Sequence, residues 1–126
     1  MKFEISVPLL GFENIKEITL EKIDDIFMKM QAENDEYISF TLIDPFILRE
    51  YDFELPQNIQ DILEINDSSN VLTLNVVLLQ NPIEDSVINF ISPIVFNTDN
   101  KKAAQIILPE STKYGIAEKI SSFINK

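Results

Sequence analysis

Carboxylates are the only abundant side chains in this sequence that could carry acid–base chemistry. There are 21 aspartates and glutamates against 10 lysines and arginines, and neither histidine nor cysteine occurs. Without imidazole or thiol, the usual zinc ligands, thiolate nucleophiles, disulfides and the commonest general base are all removed. Two carboxylates could still act as general acid and base if they faced one another across a substrate. Asp24 with Asp25, and Asp35 with Glu36, are sequence neighbours in turn-like contexts. Adjacent side chains diverge on an extended backbone, so both pairs read as solvated turns. A calcium loop needs spaced oxygen ligands about a tight glycine turn, and no Asp-x-Asp-x-Asp-Gly run occurs. Ser111-Thr112-Lys113 places hydroxyls beside an amine but has no supporting motif around it, so a polar loop is the simpler reading. The only glycines, Gly11 and Gly115, cannot build a Gly-rich phosphate cradle, which excludes P-loop and dinucleotide-binding folds. No enzyme activity, cofactor or metal ion is expected.

Elsewhere the carboxylates are arrayed rather than paired. Glu50, Asp52 and Glu54 alternate with Tyr51, Phe53 and Leu55. A period of two puts three acids on one face of an extended segment and three apolar residues on the other. Asp61 and Glu64, on the polar side of the helical pattern that follows, could enlarge this acidic surface. It could be presented to a basic partner, or it could be an edge strand whose like charges discourage edge-to-edge aggregation. The two readings are compatible. A net charge of -11 argues against nucleic-acid phosphates and anionic membrane surfaces as direct partners. No apolar run approaches the roughly 20 residues that a membrane span requires. The opening Met1-Lys2-Phe3-Glu4-Ile5-Ser6 lacks an apolar h-region and a cleavage site, so a cytoplasmic protein is expected.

The elements that must position these residues are mostly strands. A chain of 126 residues suits one domain, 1–126, burying roughly two thirds of its unfolded surface. With 45% hydrophobic and 25% charged residues it has the balance of a globular protein rather than a disordered one. Phe3, Ile5 and Val7 alternate with polar residues and end at Pro8; Gly11 sits in a turn at a position that favours its conformational freedom; Ile18, Leu20 and Ile23 resume the alternation. Segments 27–31 and 37–43 read as a hairpin closed by Asp44-Pro45. Pro56, Ile59, Ile62 and Leu63 predict a short helix near 56–65 with Gln60, Asp61 and Glu64 outward, and Val71 to Leu79 a central strand. Residues 89–97 and 103–108 read as a buried hairpin around the polar turn Thr98-Asp99-Asn100-Lys101-Lys102. Ile116, Ile120, Phe123 and Ile124 predict a second helix near 116–125, packing on the sheet or serving as an interaction helix. The expected fold is mainly β: an antiparallel barrel or two-sheet sandwich of about eight strands with two short helices.

Several stretches, in order, resemble the flagellar assembly factor FliW family. Pro8-Leu9-Leu10-Gly11-Phe12-Glu13 resembles its N-terminal Gly-Phe-Glu turn, and Phe27-Met28-Lys29-Met30-Gln31-Ala32 its Phe-x-x-Leu-Gln-Ser strand. The segment from Phe40 to Pro45 resembles the Phe-x-Leu-x-Asp/Asn-Pro that follows, and 71–77 occupies the place of the long central strand. In the hairpin, an Asn before Ser-Pro, an Ile-Val-x-Asn and an Ala-Gln-x-Ile-Leu complete the likeness. Met30, Ser92 and Phe96 depart from the usual Leu, Ala and Ile, and the C-terminal segment runs longer than in many members.

The resemblance implies a non-enzymatic cytoplasmic protein, a monomer when free, that binds the RNA-binding translational repressor CsrA and also flagellin. Flagellin competes for it, so export of flagellin would free it to relieve repression of flagellin mRNA. The competing expectation is a dedicated flagellin chaperone without CsrA regulation, gripping its client in an apolar groove beside Pro93 and Phe96. Within the hairpin, Asn89, Asn97 and Gln105 are polar positions that packing alone does not account for, and they join the acidic residues as expected partner contacts.

Overall fold

The computed structural model describes residues 1–124. Strands β1 (Lys2–Val7), β2 (Glu17–Lys22), β3 (Phe27–Ala32) and β4 (Ser39–Ile43) precede helix α1 (Gln57–Leu63). They are followed by β5 (Val71–Leu78), β6 (Val87–Ile88), β7 (Ile94–Asn97), β8 (Lys102–Gln105), β9 (Glu118–Lys119) and helix α2 (Ser121–Ile124). Strand order runs β4-β3-β2-β1-β8-β7-β5, and β5 pairs back onto β4, closing seven strands into a barrel. Strands β6 and β9 extend from β5 beside it. The fold is thus a barrel rather than a sandwich. One pairing departs from the all-antiparallel expectation: β1 runs parallel to β8, with an irregularity between Ile5 and Val7. Parallel neighbours need a long crossover, and the whole chain between them supplies it. No helix among the described residues is long and apolar enough to cross a membrane.

Period-two burial fills the barrel. Phe3, Leu20, Met30, Leu42, Leu74, Ile94, Phe96 and Ala103 form part of one interior cluster to which all seven barrel strands contribute. The Phe3 and Phe96 rings meet edge to face at 5.0 Å. A second cluster lies outside the barrel wall, where Ile43, Val77, Val95 and Ala104 are covered by Tyr51, Ile59, Leu63, Phe90, Tyr114 and Ile120. Strands β7 and β8 are therefore buried on both faces, which is why Ile94-Val95-Phe96 reads as an unbroken apolar run. Gly11 adopts φ +86, the left-handed conformation its turn requires.

Five expectations need correction. Segment 50–55 is not a strand, although its side chains alternate as expected: Tyr51 is buried, Phe53 and Leu55 are half-buried, and Glu50, Asp52 and Glu54 are exposed. Both edges of β4 and β5 are already paired, so the segment finds no ladder there and runs as an extended strap over the outer cluster. The helix expected near 116–125 is confined to Ser121–Ile124, because Glu118–Lys119 instead pair with the open edge of β6. Ile116 is left exposed. The Ile124 side chain and residue 125 of that expected helix lie outside the described residues. Ile23 and Ile62, expected on apolar faces, are exposed, and Ile107 is 55% exposed although Ile106 and Leu108 are buried.

Side chains hold the outer layer. The Tyr51 hydroxyl donates to the Phe90 carbonyl and accepts from Asn75 Nδ2 at 3.2 Å. Asn97, 2% exposed, donates from Nδ2 to the Leu63 carbonyl at 2.9 Å, and its Oδ1 accepts the Asp99 N–H at 3.0 Å. It ties the end of α1 to the β7–β8 turn. Glu64 follows at φ 56, and Asn100 Nδ2 also reaches the Leu63 carbonyl.

Asn97→Ala removes a buried donor and acceptor together, and is expected to lower unfolding free energy by about 1–3 kcal/mol in urea titration. Tyr51→Phe is expected to cost a similar amount, about 1–3 kcal/mol, because it leaves the Phe90 carbonyl without that partner. Burial also pushes the Tyr51 phenol up to about 12. The unfolded phenol titrates near about 10. The folded state therefore holds the proton more tightly, and this stabilisation is complete below about pH 10 and is lost as pH rises through the folded value. Urea midpoints between pH 9 and about 12 should accordingly fall more steeply for the parent than for Tyr51→Phe.

Candidate protein-binding face

The 50–55 strap is the feature that brings the sequence-predicted acids together. Its apolar alternation seats Tyr51 among aromatic rings, with the Tyr114 centroid at 4.7 Å, Phe53 at 5.5 Å and Phe90 at 5.6 Å. Hydrogen bonds fasten it at two points. The Asp52 N–H donates to the Tyr114 hydroxyl at 2.8 Å, and Gln60 Nε2 of α1 donates to the Leu55 carbonyl at 2.8 Å. Just before the strap, the Arg49 guanidinium lies about 5 Å from three rings, Phe90, Tyr114 and Phe123, and pairs with Glu118 at 3.0 Å. The Glu118 carboxylate also accepts the Gly115 N–H at 2.6 Å. Cation–π and ion-pair contacts thus join the strap to the C-terminal segment.

With its apolar side turned inward, the strap points Glu50, Asp52 and Glu54 to solvent. None of the three is within ion-pair distance of a lysine or arginine among the described residues. Between the strap and residues 106–109 runs an open groove of about 460 Å³, lined by Phe53, Pro56, Ile106, Ile107, Leu108 and Pro109, with Asp52, Glu54, Ser111 and Thr112 at its polar positions. On the strap's other flank, a hollow of about 260 Å³ is lined by Phe46, Phe53, Val71 and Thr73. An apolar floor thus lies beside carboxylates that have no ion pair among the described residues.

The remaining expected contacts sit elsewhere. Asp61 is exposed on α1, where it accepts from Gln57 Nε2 at 2.9 Å, and it does not line the groove. Glu64 pairs with Lys102 at 3.0 Å, and this contact holds its carboxyl below the usual carboxylate range. It borders a separate polar hollow of about 310 Å³ with Asn66 and Asp99. Asp99 is likewise held below the ordinary range, by the side chain and N–H of Asn70, each at 2.9 Å. Asn89 accepts the N–H groups of Ile91 and Ser92 at 3.0 and 3.3 Å, shaping the turn before Pro93. Gln105 accepts the Leu10 N–H at 2.7 Å, fastening the β1–β2 loop to β8. Internal hydrogen bonding therefore accounts for the three polar positions in the hairpin. Pro93 and Phe96 are both buried, so the apolar groove lies beside Ile107 instead. Ile107 was hidden in the run Ile106-Ile107-Leu108, where alternation between core and surface leaves no polar signal.

Comparison with known proteins places this geometry in a family. The model of the FliW protein family matches residues 1–120. The flagellar assembly factor FliW of Sulfurimonas denitrificans is 64% identical over 126 residues, covering 100% of both chains. A second relative, flagellar assembly factor FliW 2 of Wolinella succinogenes, is 45% identical, with 99% of this chain and 93% of that protein covered. The Campylobacter lari flagellar assembly factor FliW is 38% identical over 100% of this chain and 98% of its own length. Among solved structures, a crystal structure of the flagellar assembly factor FliW superposes with a TM-score of 0.88 at 25% identity, covering 94% of this chain and 84% of that one. Motifs, barrel and full-length relatives agree: the chain belongs to the FliW family of flagellar assembly factors.

Proposed function

We propose that this chain is a non-enzymatic cytoplasmic assembly factor and regulator of the flagellum that binds the translational repressor CsrA and flagellin in competition. The observation that carries the reading is the strap, where Glu50, Asp52 and Glu54 stand without an ion pair among the described residues, beside an apolar groove on a protein of net charge -11. An RNA-binding repressor must offer basic surface to phosphates, and an acidic partner is steered to that surface. Bound there, the carboxylates either occupy the RNA site or stand beside it and repel phosphate. The Debye length in cells is about 8 Å, so repulsion works only where carboxylates reach the RNA path. Long-range net charge adds to encounter rate rather than to displacement. Flagellin, on binding the same protein, would release the repressor to its mRNA.

A dedicated flagellin chaperone is the second reading, favoured by the groove itself. Apolar contacts would dominate its binding, and salt would change affinity little. Isothermal calorimetry separates the two. For the regulator, Glu50→Lys combined with Glu54→Lys is expected to weaken CsrA binding at low salt by at least about tenfold, near 1.4 kcal/mol, with a smaller deficit at high salt. Flagellin titrated into the parent complex should displace CsrA. Unchanged CsrA affinity and RNA displacement in the double variant would remove the strap from the mechanism; absence of CsrA binding by the parent would leave the chaperone.

A further inference from the structure

We propose that the groove beside the strap takes an extended polypeptide segment by strand addition, its backbone pairing with Ile107, its apolar side chains on the groove floor and its Lys or Arg side chains toward Asp52 and Glu54. The inference rests on the reading of this chain as a protein-binding module and names the mode by which that face binds.

Backbone direction is the first observation. The Ile106 and Leu108 N–H groups donate to the Pro93 and Ile91 carbonyls at 2.9 and 2.8 Å. Alternation along an extended chain then turns the Ile107 N–H and C=O to the opposite side. There they have no hydrogen-bond partner among the described residues. β1 does not cover them, because its register with β8 ends at Val7 opposite Ala104 and Pro8 follows. The facing wall of the groove is the strap, also extended, whose Phe53 and Glu54 peptide groups are in no hydrogen bond among the described residues either. Two open backbone edges thus flank about 460 Å³ of largely apolar space. An unpaired edge next to pockets for alternate side chains is the arrangement that strand addition uses.

Charge selects the occupant. Asp52 and Glu54 line the groove without an ion pair among the described residues, while Lys113, next to the groove residue Thr112, lies over the Tyr114 ring at 5.5 Å. A segment alternating apolar and basic residues places one set against Ile107, Pro109 and Phe53 and the other beside the carboxylates. An acidic segment would meet uncompensated repulsion.

The test uses the whole chain, 15N-labelled, titrated with acetyl-Lys-Ile-Lys-Ile-Lys-amide. Saturable shifts centred on Ile107, Phe53 and Glu54 are expected, with hydrogen exchange at the Ile107 amide slowed at least about tenfold. A peptide N-methylated at alternate residues, with the same charge and apolar groups, should bind about tenfold more weakly. Ile107→Pro deletes an N–H that has no partner among the described residues, so it should leave the melting curve near the parent's while weakening the peptide by a similar factor. If that variant fails to fold, the methylated peptide decides on the parent protein. No saturable binding up to millimolar peptide, equal binding of the methylated peptide, or free exchange at Ile107 in the complex would each overturn strand addition. CsrA and flagellin binding are measured separately, so their loss with peptide pairing intact would sink the functional reading alone, and the reverse result would sink only the pairing mode.

Discussion

Closure of the barrel is the constraint on which the rest of this structure depends. Once β5 pairs with β4, the seven strands share their edges around a ring, and the chain that must pass outside has no barrel ladder to join. Residues 50–55 have the composition and alternation of a strand but pair with no strand among the described residues. They must be fastened by side chains, and the aromatic cluster around Tyr51 does this: burial of its ring, its hydroxyl on the Phe90 carbonyl, and Asn75 from within β5. The same outer layer covers Val95 and Ala104, so the wall of the barrel and its covering layer stabilise one another.

Arg49 extends that arrangement. A guanidinium lying against three rings and paired with Glu118 keeps its charge partly screened from water without isolating it. It links the start of the strap to β9, whose own two-residue ladder with β6 would be weak alone. Most of what lies outside the barrel therefore converges on two residues either side of Glu50, Arg49 for the C-terminal segment and Tyr51 for the strap.

How much of this was legible in the sequence depended on how many faces each segment buries. Strands with one buried face, such as 3–7 and 18–20, announced themselves by alternation, and Pro8, Pro45 and Gly11 marked their ends. β7, buried on both faces, is legible as a run, but a second unbroken run, Ile106-Ile107-Leu108 after β8, conceals the outward turn of Ile107. The strap was read correctly for which side chains face in and wrongly for pairing, because edge occupancy is a property of the closed sheet. The C-terminal stripe failed for a related reason: Ile116, Ile120 and Phe123 satisfy helical spacing, yet β6 offers a free edge that captures Glu118 and Lys119. Asn89, Asn97 and Gln105 were conspicuous as polar residues in an apolar context, but their partners, a local turn, the end of α1 and the β1–β2 loop, are set by tertiary placement.

The distribution of carboxylates follows from the same division between barrel and strap. Several acids on or near the regular elements are neutralised by neighbours: Glu17 and Glu33 by Lys2, Glu64 by Lys102, Glu118 by Arg49. On the strap, three like charges stand at period-two spacing without a partner among the described residues, an arrangement that costs stability through mutual repulsion. A closed barrel removes the aggregation hazard that charges on an exposed edge strand would guard against, so that defensive role has little to act on within its seven-strand wall. What remains is a row of carboxylates, seated by the buried Tyr51 ring, bordering an apolar groove whose walls carry peptide groups without a hydrogen-bond partner among the described residues. Repulsion within the row and open hydrogen-bonding capacity beside it would both be relieved by one event, the proposed docking of a basic, apolar segment of another chain.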